Sequence, residues 1–310
     1  MRALVLSNMR PDAAHPERGQ FVRDQVAGLR DVDDLEVSLY EFPPGADGLL
    51  GAARDLARRY RGERFDVVHA HFGLSVWPGL AVRARSRGLT VHGTDVSHPR
   101  TRQLTRAALP LVDLLGAVSE PLIEKIPSRA ARRRAVVLPC GVDMERFVAM
   151  PRGEARARLG LDPEGAYLLF PADPARAEKR YDRARALVNG EQLLTLGGVD
   201  PELVPVMINA SNAVVVPSER EGFGLAVLEA LACEVPVLAT PVGIHPQVLD
   251  GLPGALCAPF DAELWRATAN AYLQANDPRV DARARAQDYC APRMATRLAD
   301  AWRTLLSSAG

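Results

Sequence analysis

The sequence has no excess of either charge and few cysteines. Lys and Arg total 38, as do Asp and Glu, so no overall positive field points to a nucleic-acid partner. The four cysteines are far apart and form no CxxC pair or metal-ligand spacing, so neither a disulfide framework nor a cysteine metal site is expected. Reduced thiols of this kind are typical of a cytoplasmic protein.

Long hydrophobic runs are also missing. The apolar N-terminal run breaks at Asn8 and Pro11, which is too short for a signal peptide or a membrane span, so export is not expected. The arginine-rich helix predicted at 54–61 could lie on anionic lipid, but a solvated helix face is the favoured interpretation. We therefore expect a cytoplasmic protein, with peripheral contact at the inner face of the membrane as the alternative.

Short apolar runs alternate with amphipathic stretches along the whole chain. In a chain of 310 residues, 47% of them hydrophobic, this alternation predicts an α/β protein with parallel strands covered by helices on both faces. It restarts after Pro151, which predicts two domains, 1–148 and 149–290, followed by a final segment 291–310. The predicted strands lie near 2–7, 35–41, 65–71, 89–92, 113–118, 135–139, 166–171, 192–196, 213–217, 235–239 and 254–258, with helices at 17–30 and 293–307 among others.

The most informative segment is PSEREGFGLAVLEALACEVPVLATPVG, residues 217–243. It follows a Val-rich run and is predicted to enter a helix near Gly222. Amides at a helix start attract phosphate or sugar oxygens, and Gly222 and Gly224 let a ligand approach the main chain. By helical rise, Glu221 and Glu229 would lie about 10–12 Å apart. That spacing suits two rings joined by a diphosphate and exceeds the roughly 5 Å of a retaining glycoside hydrolase.

A second segment, LLFPADPARAEKRYDRA, gathers basic residues after a predicted strand. Arg176, Lys179 and Arg180 share one turn at the carboxyl end of that strand, where open α/β sheets bind ligands. Cations there would neutralise a diphosphate, and they would stabilise it more strongly as it leaves. A merely solvated basic helix start is less favoured, because cations oppose the positive end of the helix dipole.

The segment 217–243 closely resembles the signature PSxxEGFGLxxLEAxAxGxPVxAxxxGG of family 4 retaining glycosyltransferases, the group 1 glycosyl transferases. The order of FDVVHAHFG, LTVHGTD, AVSEPL and LPCGVDMERF extends the resemblance over nearly the whole chain. It departs at Cys233-Glu234, where Gly is usual at the second position, and at Gly243-Ile244, where Gly-Gly is usual. The resemblance implies a GT-B fold: two Rossmann-like, doubly wound parallel-sheet domains facing across a cleft. The acceptor would bind the first domain and the donor the second, with the final helix packed back on the first.

The resemblance also implies roles for individual residues. Glu221 would contact hydroxyls of the transferred sugar, and Glu229 would hold the ribose of the donor. A carboxylate accepting from two vicinal hydroxyls suits that task. The main chain of a short stretch would meet sugar and phosphate, namely Gly222, Phe223, Gly224 and Leu225.

Four further positions follow from the same resemblance. Relatives have an Arg five residues before the Lys, but counting back from Lys179 reaches a proline, so Arg176 is the assigned substitute. Gly19 matches the glycine of the first βα loop, near the donor phosphate or the acceptor. His92 matches the histidine that faces the donor sugar and is assigned a catalytic role with Glu221, against the alternative of a core histidine. Asp95, in the same loop, is assigned to the acceptor side.

Neither a metal nor a tightly bound cofactor is predicted. His69 and His71 share a strand face and could bind zinc with His92 or His98, but no cysteine or carboxylate completes a ligand set. Metal-dependent glycosyltransferases hold the cation of the diphosphate with an Asp-x-Asp motif. The lone Asp-x-Asp of this sequence, residues 31–33, precedes a predicted strand and is interpreted as a turn.

The predicted function is retaining, metal-independent transfer of a sugar from a nucleotide diphosphate to an acceptor hydroxyl, by front-face substitution without a protein nucleophile. The acceptor, whether glycan, lipid or small molecule, is not specified, nor are the sugar and base. A non-hydrolysing nucleotide-sugar epimerase and a non-catalytic nucleotide-sugar binding protein are the alternatives, the latter because only one strand fits between Lys179 and Pro201. A dehydrogenase is disfavoured because no GxGxxG follows the first strand.

Overall fold

The computed structural model describes residues 1–188 and 192–308, and the chain divides into two compact units. Unit 1 comprises Met1–Asp12, Arg18–Gly141 and Ala291–Gly310. Unit 2 comprises Ala13–Glu17 and Val142–Cys290. The main division therefore falls after Gly141, whereas the sequence pattern predicts a boundary between residues 148 and 149.

The strands occupy the short apolar runs of the sequence. They are β1 (Arg2–Ser7), β2 (Glu36–Glu41), β3 (Arg64–His71), β4 (Arg83–Val91), β5 (Leu114–Ala117), β6 (Ala135–Val137), β7 (Tyr167–Phe170), β8 (Gln192–Thr195), β9 (Ala213–Val216), β10 (Val237–Ala239) and β11 (Ala255–Cys257).

Helices fill the connections between the strands, as expected for parallel pairing. They are α1 (Gln20–Arg30), α2 (Ala46–Arg59), α3 (Val76–Gly79), α4 (Thr94–Ser97), α5 (Pro99–Ala108), α6 (Glu120–Ile123), α7 (Arg129–Arg134), α8 (Arg152–Leu159), α9 (Tyr181–Arg185), α10 (Val204–Ala210), α11 (Leu225–Ala232), α12 (His245–Leu249), α13 (Ala262–Leu273), α14 (Arg283–Gln287) and α15 (Ala291–Ser308). Short 3-10 turns lie at Gly73–Ser75, Leu109–Leu111, Ala177–Lys179 and Pro201–Leu203.

Each unit contains one parallel sheet whose first strand lies inside the sheet. The order in unit 1 is β2-β1-β3-β4-β5-β6, and the order in unit 2 is β11-β10-β9-β7-β8. All strand pairs among the described residues are parallel. The winding reverses between β1 and β3 in unit 1 and between β7 and β9 in unit 2, and ligands of such sheets bind beside the carboxyl ends of strands at these switch points. The predicted class, two parallel-sheet α/β domains, is confirmed.

One strand is much longer than its apolar run. The sequence predicts a strand near 89–92, whereas β4 begins at Arg83 and pairs with β3 from Arg64 onward. Its first half alternates exposed arginines, Arg83 and Arg85, with more buried residues. An apolar-run criterion misses this half because only one face of it is covered.

The core of unit 1 is completed by its last helix. Trp302 and Leu298 of α15 are buried in one cluster with Val22, Val26 and Leu29 of α1. Burying an apolar side chain of this size stabilises the fold by about 1.5–3 kcal/mol. Unit 2 has a separate core built around Trp265 and Phe170. Within residues 1–188 and 192–308, no helix has both the length and the apolar character that crossing a membrane requires.

Candidate functional site

The two informative segments meet at the switch point of unit 2. The basic turn Ala177–Lys179 follows β7, and the loop bearing Glu221 follows β9, the neighbouring strand. The amide of Glu219 donates to the carbonyl of Glu178 at 3.0 Å, which fixes one loop against the other. Segments that are distant in sequence are therefore brought together by strand order.

Lys179 and Glu221 form a close ion pair at this edge of the sheet. The ammonium of Lys179 lies 2.7 Å from each carboxylate oxygen of Glu221. The hydroxyl of Ser218 donates to the same carboxylate at 2.8 Å. Only 16% of the Lys179 side chain and 10% of the Glu221 side chain are exposed, so the pair is fixed within the loops.

The charge on Glu221 follows from these contacts. Burial by itself would raise the pKa of the carboxyl, but the positive charge of Lys179, the proximity of His245 and the hydrogen bonds from Lys179 and Ser218 outweigh it. The pKa of Glu221 therefore lies below its ordinary value. At neutral pH the side chain is a carboxylate and acts only as an acceptor.

Helix α11 begins later than the sequence indicated. The predicted start was near Gly222, but the helix begins at Leu225, with Gly224 as its N-cap at φ 116°. The helix cannot begin earlier, because the φ of 116° at Gly224 is far from the helical value. Glu221 consequently lies in the loop, and the helical-rise spacing to Glu229 does not apply.

The remaining residues of the signature surround this helix start. The ring of Phe223 is buried with an edge contact to Tyr289 at 5.8 Å, and its carbonyl accepts from the Ile244 amide at 2.8 Å. Gly222 lies in the loop, Leu225 opens the helix, and both are half-buried. Glu229 lies about one turn after Leu225 in α11 and is also half-buried.

The negative charge of Glu229 acts on the neighbouring Cys233. Burial, and then the negative charge of Glu229, raise the pKa of the Cys233 thiol to about 12. Cys233 therefore remains a neutral thiol at physiological pH.

Arg176 makes a different contact from Lys179. Its guanidinium pairs with Glu178 two residues later, at 2.8 Å, and half of the side chain is exposed. Within the described turn it is Lys179, and not Arg176, that reaches Glu221. Arg180 follows at φ 58° and pairs with Asp182 and Glu219.

In unit 1, Gly19 occupies a position that only glycine fits. It caps α1 at φ 69°, a conformation that side chains rarely adopt. A Cβ atom there would also lie 2.6 Å from the Met9 carbonyl oxygen. The sequence therefore requires glycine for the turn itself, whatever the loop binds.

His92 follows β4, next to the end of β3. Its Nε2 lies 2.9 Å from Nδ1 of His71. Its ring centroid is 4.6 Å from that of Phe72 and 5.0 Å from that of Phe21. Burial, and then the nearby His71 and His69, lower the pKa of His92 well below its ordinary value, so the imidazole is neutral at pH 7.

Asp95 lies inside the loop and not at its surface. The side chain is 3% exposed, and its carboxylate accepts from the amides of His92, Gly93 and Gly73 at 3.0, 2.9 and 3.3 Å. The sequence assigns Asp95 to the acceptor side, but in the structure its carboxylate is bound by these backbone amides. Burial raises the pKa of Asp95 to about 6, although the three backbone hydrogen bonds oppose this shift.

His69 and His71, the candidate zinc ligands of the sequence, have other partners. His69 Nε2 lies 2.8 Å from the Thr90 hydroxyl, and its Nδ1 accepts from Trp302 at 3.1 Å. His71 pairs with His92. Within the described part of the chain, no three His, Cys, Asp or Glu side chains are grouped so as to hold a metal ion.

Sequence reasoning missed two residues of these sites and misjudged a third. Ser218, which anchors Glu221, stands in the signature itself, so the motif already pointed to it. His71 was considered only as a metal ligand beside His92, whereas its Nδ1 lies within hydrogen-bond distance of the His92 ring. His245 occupies the space beside Gly224, and it is brought there only by the neighbouring strand β10.

Comparison with known proteins relates both units to sugar transfer. The family model described as glycosyl transferases group 1 matches residues 165–289. The model described as glycosyltransferase family 4 matches residues 2–146.

Curated relatives cover most of the chain. The D-inositol 3-phosphate glycosyltransferase of Actinosynnema mirum is 30% identical over 316 residues, covering 82% of this chain and 74% of the relative. The enzyme of the same description from Mycobacterium marinum is 28% identical over 319 residues, covering 86% and 67%.

Solved structures share the fold over nearly the full length. Sucrose-phosphate synthase from Thermosynechococcus elongatus has a TM-score of 0.75 at 19% identity, covering 99% of this chain and 100% of the other. Anabaena HepE in complex with UDP-glucose has a TM-score of 0.69 at 16% identity, covering 98% and 100%. At these identities the match shows the fold, which is of the GT-B type.

Proposed function

The chain belongs to the group 1 glycosyltransferases, and from that premise we propose retaining, metal-independent transfer of a sugar from a nucleotide diphosphate to an acceptor hydroxyl. The observation that carries the proposal is the contact between Lys179 and Glu221. It unites the basic turn and the family signature at the switch point of unit 2, where α/β sheets bind ligands.

Lys179 has the geometry to act on a leaving diphosphate. An ammonium has three N–H donors, and two of them serve the oxygens of Glu221. The third can donate to a phosphate oxygen. As the glycosidic bond breaks, negative charge builds up on that oxygen, so a fixed cation stabilises the transition state more than the ground state.

The other assigned residues act on the rings of the donor. Glu221, ionised and held by Lys179 and Ser218, accepts from hydroxyls of the transferred sugar. Glu229 on α11 accepts from the ribose hydroxyls. His92 contributes a neutral imidazole to the sugar hydroxyls, which orders the reacting face.

In this proposal, protein groups and not a metal ion balance the negative charge of the diphosphate. The amides at the start of α11, beyond Gly224, point along the helix dipole and favour an anion. Gly224, with no side chain, lets a phosphate approach them closely. Arg176, at the edge of the same turn as Lys179, supplies a second cation.

The acceptor and donor are chosen for testing from the proteins that this chain resembles. UDP-glucose is the first donor to test, because HepE was solved with it, and inositol 3-phosphate is the first acceptor, because the curated relatives are named for it. We place the reaction in the cytoplasm, where the four free cysteines stay reduced.

Proton NMR of the reaction mixture tests the proposal. We expect a glycosylated acceptor whose new linkage has the anomeric configuration of the donor, and no change in the donor when the acceptor is omitted. Isomerised donor without acceptor would instead identify an epimerase. A product of inverted configuration would contradict front-face substitution.

A further inference from the structure

Three neighbouring histidines of unit 1 form a row, here called the histidine chain, in the order His69, His71 and His92. His69 and His71 lie on β3, with ring centroids 5.4 Å apart, and both side chains are fully buried. His71 Nδ1 lies 2.9 Å from His92 Nε2, and Trp302 of α15 lies at the other end, on His69. The proposed function uses His92 but not the residues behind it.

The protons on His69 are fixed by its partners. An indole nitrogen can only donate, so Nδ1 of His69 accepts from Trp302 and carries no proton. Burial lowers the pKa of His69 well below its ordinary value, and a neutral imidazole keeps one proton, which must then lie on Nε2. This N–H donates to the hydroxyl of Thr90 at 2.8 Å.

The pair of His71 and His92 has two possible arrangements. Either Nδ1–H of His71 donates to Nε2 of His92, or Nε2–H of His92 donates to Nδ1 of His71. They differ in what remains on the far side of His71. Its Nε2 is buried and finds no hydrogen-bond partner among the described residues.

That orphaned nitrogen decides between the arrangements. In the second, Nε2 of His71 would carry a buried N–H without an acceptor, and unpaired buried N–H groups are rarer than unpaired acceptors. In the first, Nε2 is a bare lone pair. Burial lowers the pKa of His71 to about 3, so it is not protonated on both nitrogens at neutral pH.

We propose that His71 is a positioning residue that donates from Nδ1 to His92, holding His92 in the tautomer whose proton is on Nδ1. The ring of His92, flanked by Phe21 and Phe72, then offers an N–H donor and not a lone pair. Its partner is an oxygen of the transferred sugar. This last step rests on the proposed function, whereas the tautomer does not.

Nitrogen NMR measures the tautomers directly. Protein labelled with ¹⁵N-histidine contains six histidines, and long-range ¹H–¹⁵N correlation at pH 7.5 identifies the protonated nitrogen of each. We expect Nδ1–H on His71 and His92 and Nε2–H on His69. Variants in which one histidine at a time is replaced assign each signal to its residue. A proton on Nε2 of His92 would overturn the inference, whatever the activity of the protein.

Two substitutions of similar size distinguish the loss of the hydrogen-bond donor of His71 from the loss of packing by its ring. His71→Asn retains an N–H near the position of Nδ1, whereas His71→Leu does not. We expect His71→Leu to move the His92 proton to Nε2 in part of the molecules and to lower kcat about 10- to 100-fold with KM little changed. We expect His71→Asn to keep both the tautomer and most of the turnover.

Thermal unfolding of both variants controls for the loss of the ring. Equal losses of kcat in the two variants, or an unchanged His92 tautomer in His71→Leu, would contradict the positioning role. Unaltered turnover in His92→Leu would instead reject the role of His92 in the proposed function, and with it the catalytic part of the inference. The spectrum of the wild type would still decide the tautomer.

Discussion

Lys179 is the residue on which the proposed chemistry depends most. It holds Glu221 through two hydrogen bonds of 2.7 Å and retains a third donor for a phosphate. Arg176, three residues earlier, is committed to Glu178. The only other lysine of the chain, Lys125, is exposed in unit 1, which makes it a matched control.

We expect Lys179→Ala to lower turnover about 10- to 1000-fold, as for the loss of one preorganised electrostatic donor. Lys125→Ala should leave turnover unaltered. Steady-state kinetics with the donor and acceptor identified by NMR measures both, and circular dichroism checks that the variants are folded. Turnover of Lys179→Ala equal to that of wild type would remove Lys179 from the mechanism.

Asp95 supplies a prediction that is independent of activity. Its pKa rises from 3.8 to about 6 on folding, because of burial. Between these values the native state holds a proton that the unfolded chain has lost, so the free energy of unfolding falls as pH rises through this window. Once Asp95 is fully ionised in the native state, above about pH 7, the loss in the free energy of unfolding is on the order of 3 kcal/mol.

Asp95→Asn removes this titration. Urea unfolding at intervals from pH 4 to pH 8 should show wild type losing stability relative to the variant as pH rises, and the difference should become constant above about pH 7. A constant difference across the whole window would show that Asp95 does not titrate there. Taking the difference cancels the other carboxyl groups, which both proteins share.

The sequence predicted these residues only in part. Motif letters single out Lys179, Glu221 and His92 as candidates, because the proposed chemistry needs those side chains at those places. The pairing of Lys179 with Glu221 spans 42 residues and depends on strand order, which the letters do not carry. The contact of Asp95 with three backbone amides likewise depends on the folded loop.

At the scale of the element, the site is a set of loops at the carboxyl ends of neighbouring strands. The loops after β7, β9 and β10 bring Lys179, Glu221 and His245 to one edge of the unit 2 sheet. Most strand positions were predictable, because buried parallel strands are short apolar runs, but the first half of β4 was not, because only one of its faces is covered. The start of α11 was not predictable either, because it follows Gly224, whose φ of 116° is not helical.

We expect Gly224→Ala to destabilise unit 2 by about 1–3 kcal/mol. The residue has φ 116°, and a Cβ would lie 2.6 Å from two ring atoms of His245, so backbone strain adds to the clash. Gly153→Ala, in α8 with no atom near its Cβ, should be neutral or stabilising by up to about 1 kcal/mol. Urea unfolding compares the two, and equal stability of both variants would show that the loop relaxes freely around Gly224.

At the scale of the whole molecule, the chain forms two units of the same class and returns to the first at its end. The restart of the strand pattern after Pro151 made two domains predictable. The contribution of α15 to the core of unit 1 follows from Trp302 and Leu298, both buried against α1. The same helix touches the histidine chain through Trp302 and His69, so it contributes to the surroundings of His92 as well as to stability.

The central claim is that unit 2 binds a nucleoside diphosphate between Lys179 and Glu229, and titration calorimetry tests it most directly. UDP, ADP and GDP are titrated into wild type, Glu229→Ala and, as a control, Glu263→Ala, whose side chain is exposed on α13. We expect one nucleotide to bind wild type and the control alike, and to bind Glu229→Ala about tenfold or more weakly, since a charged hydrogen bond to the ribose contributes about 1.5–3 kcal/mol. No binding to any nucleotide, or equal affinity in all three proteins, would contradict the claim.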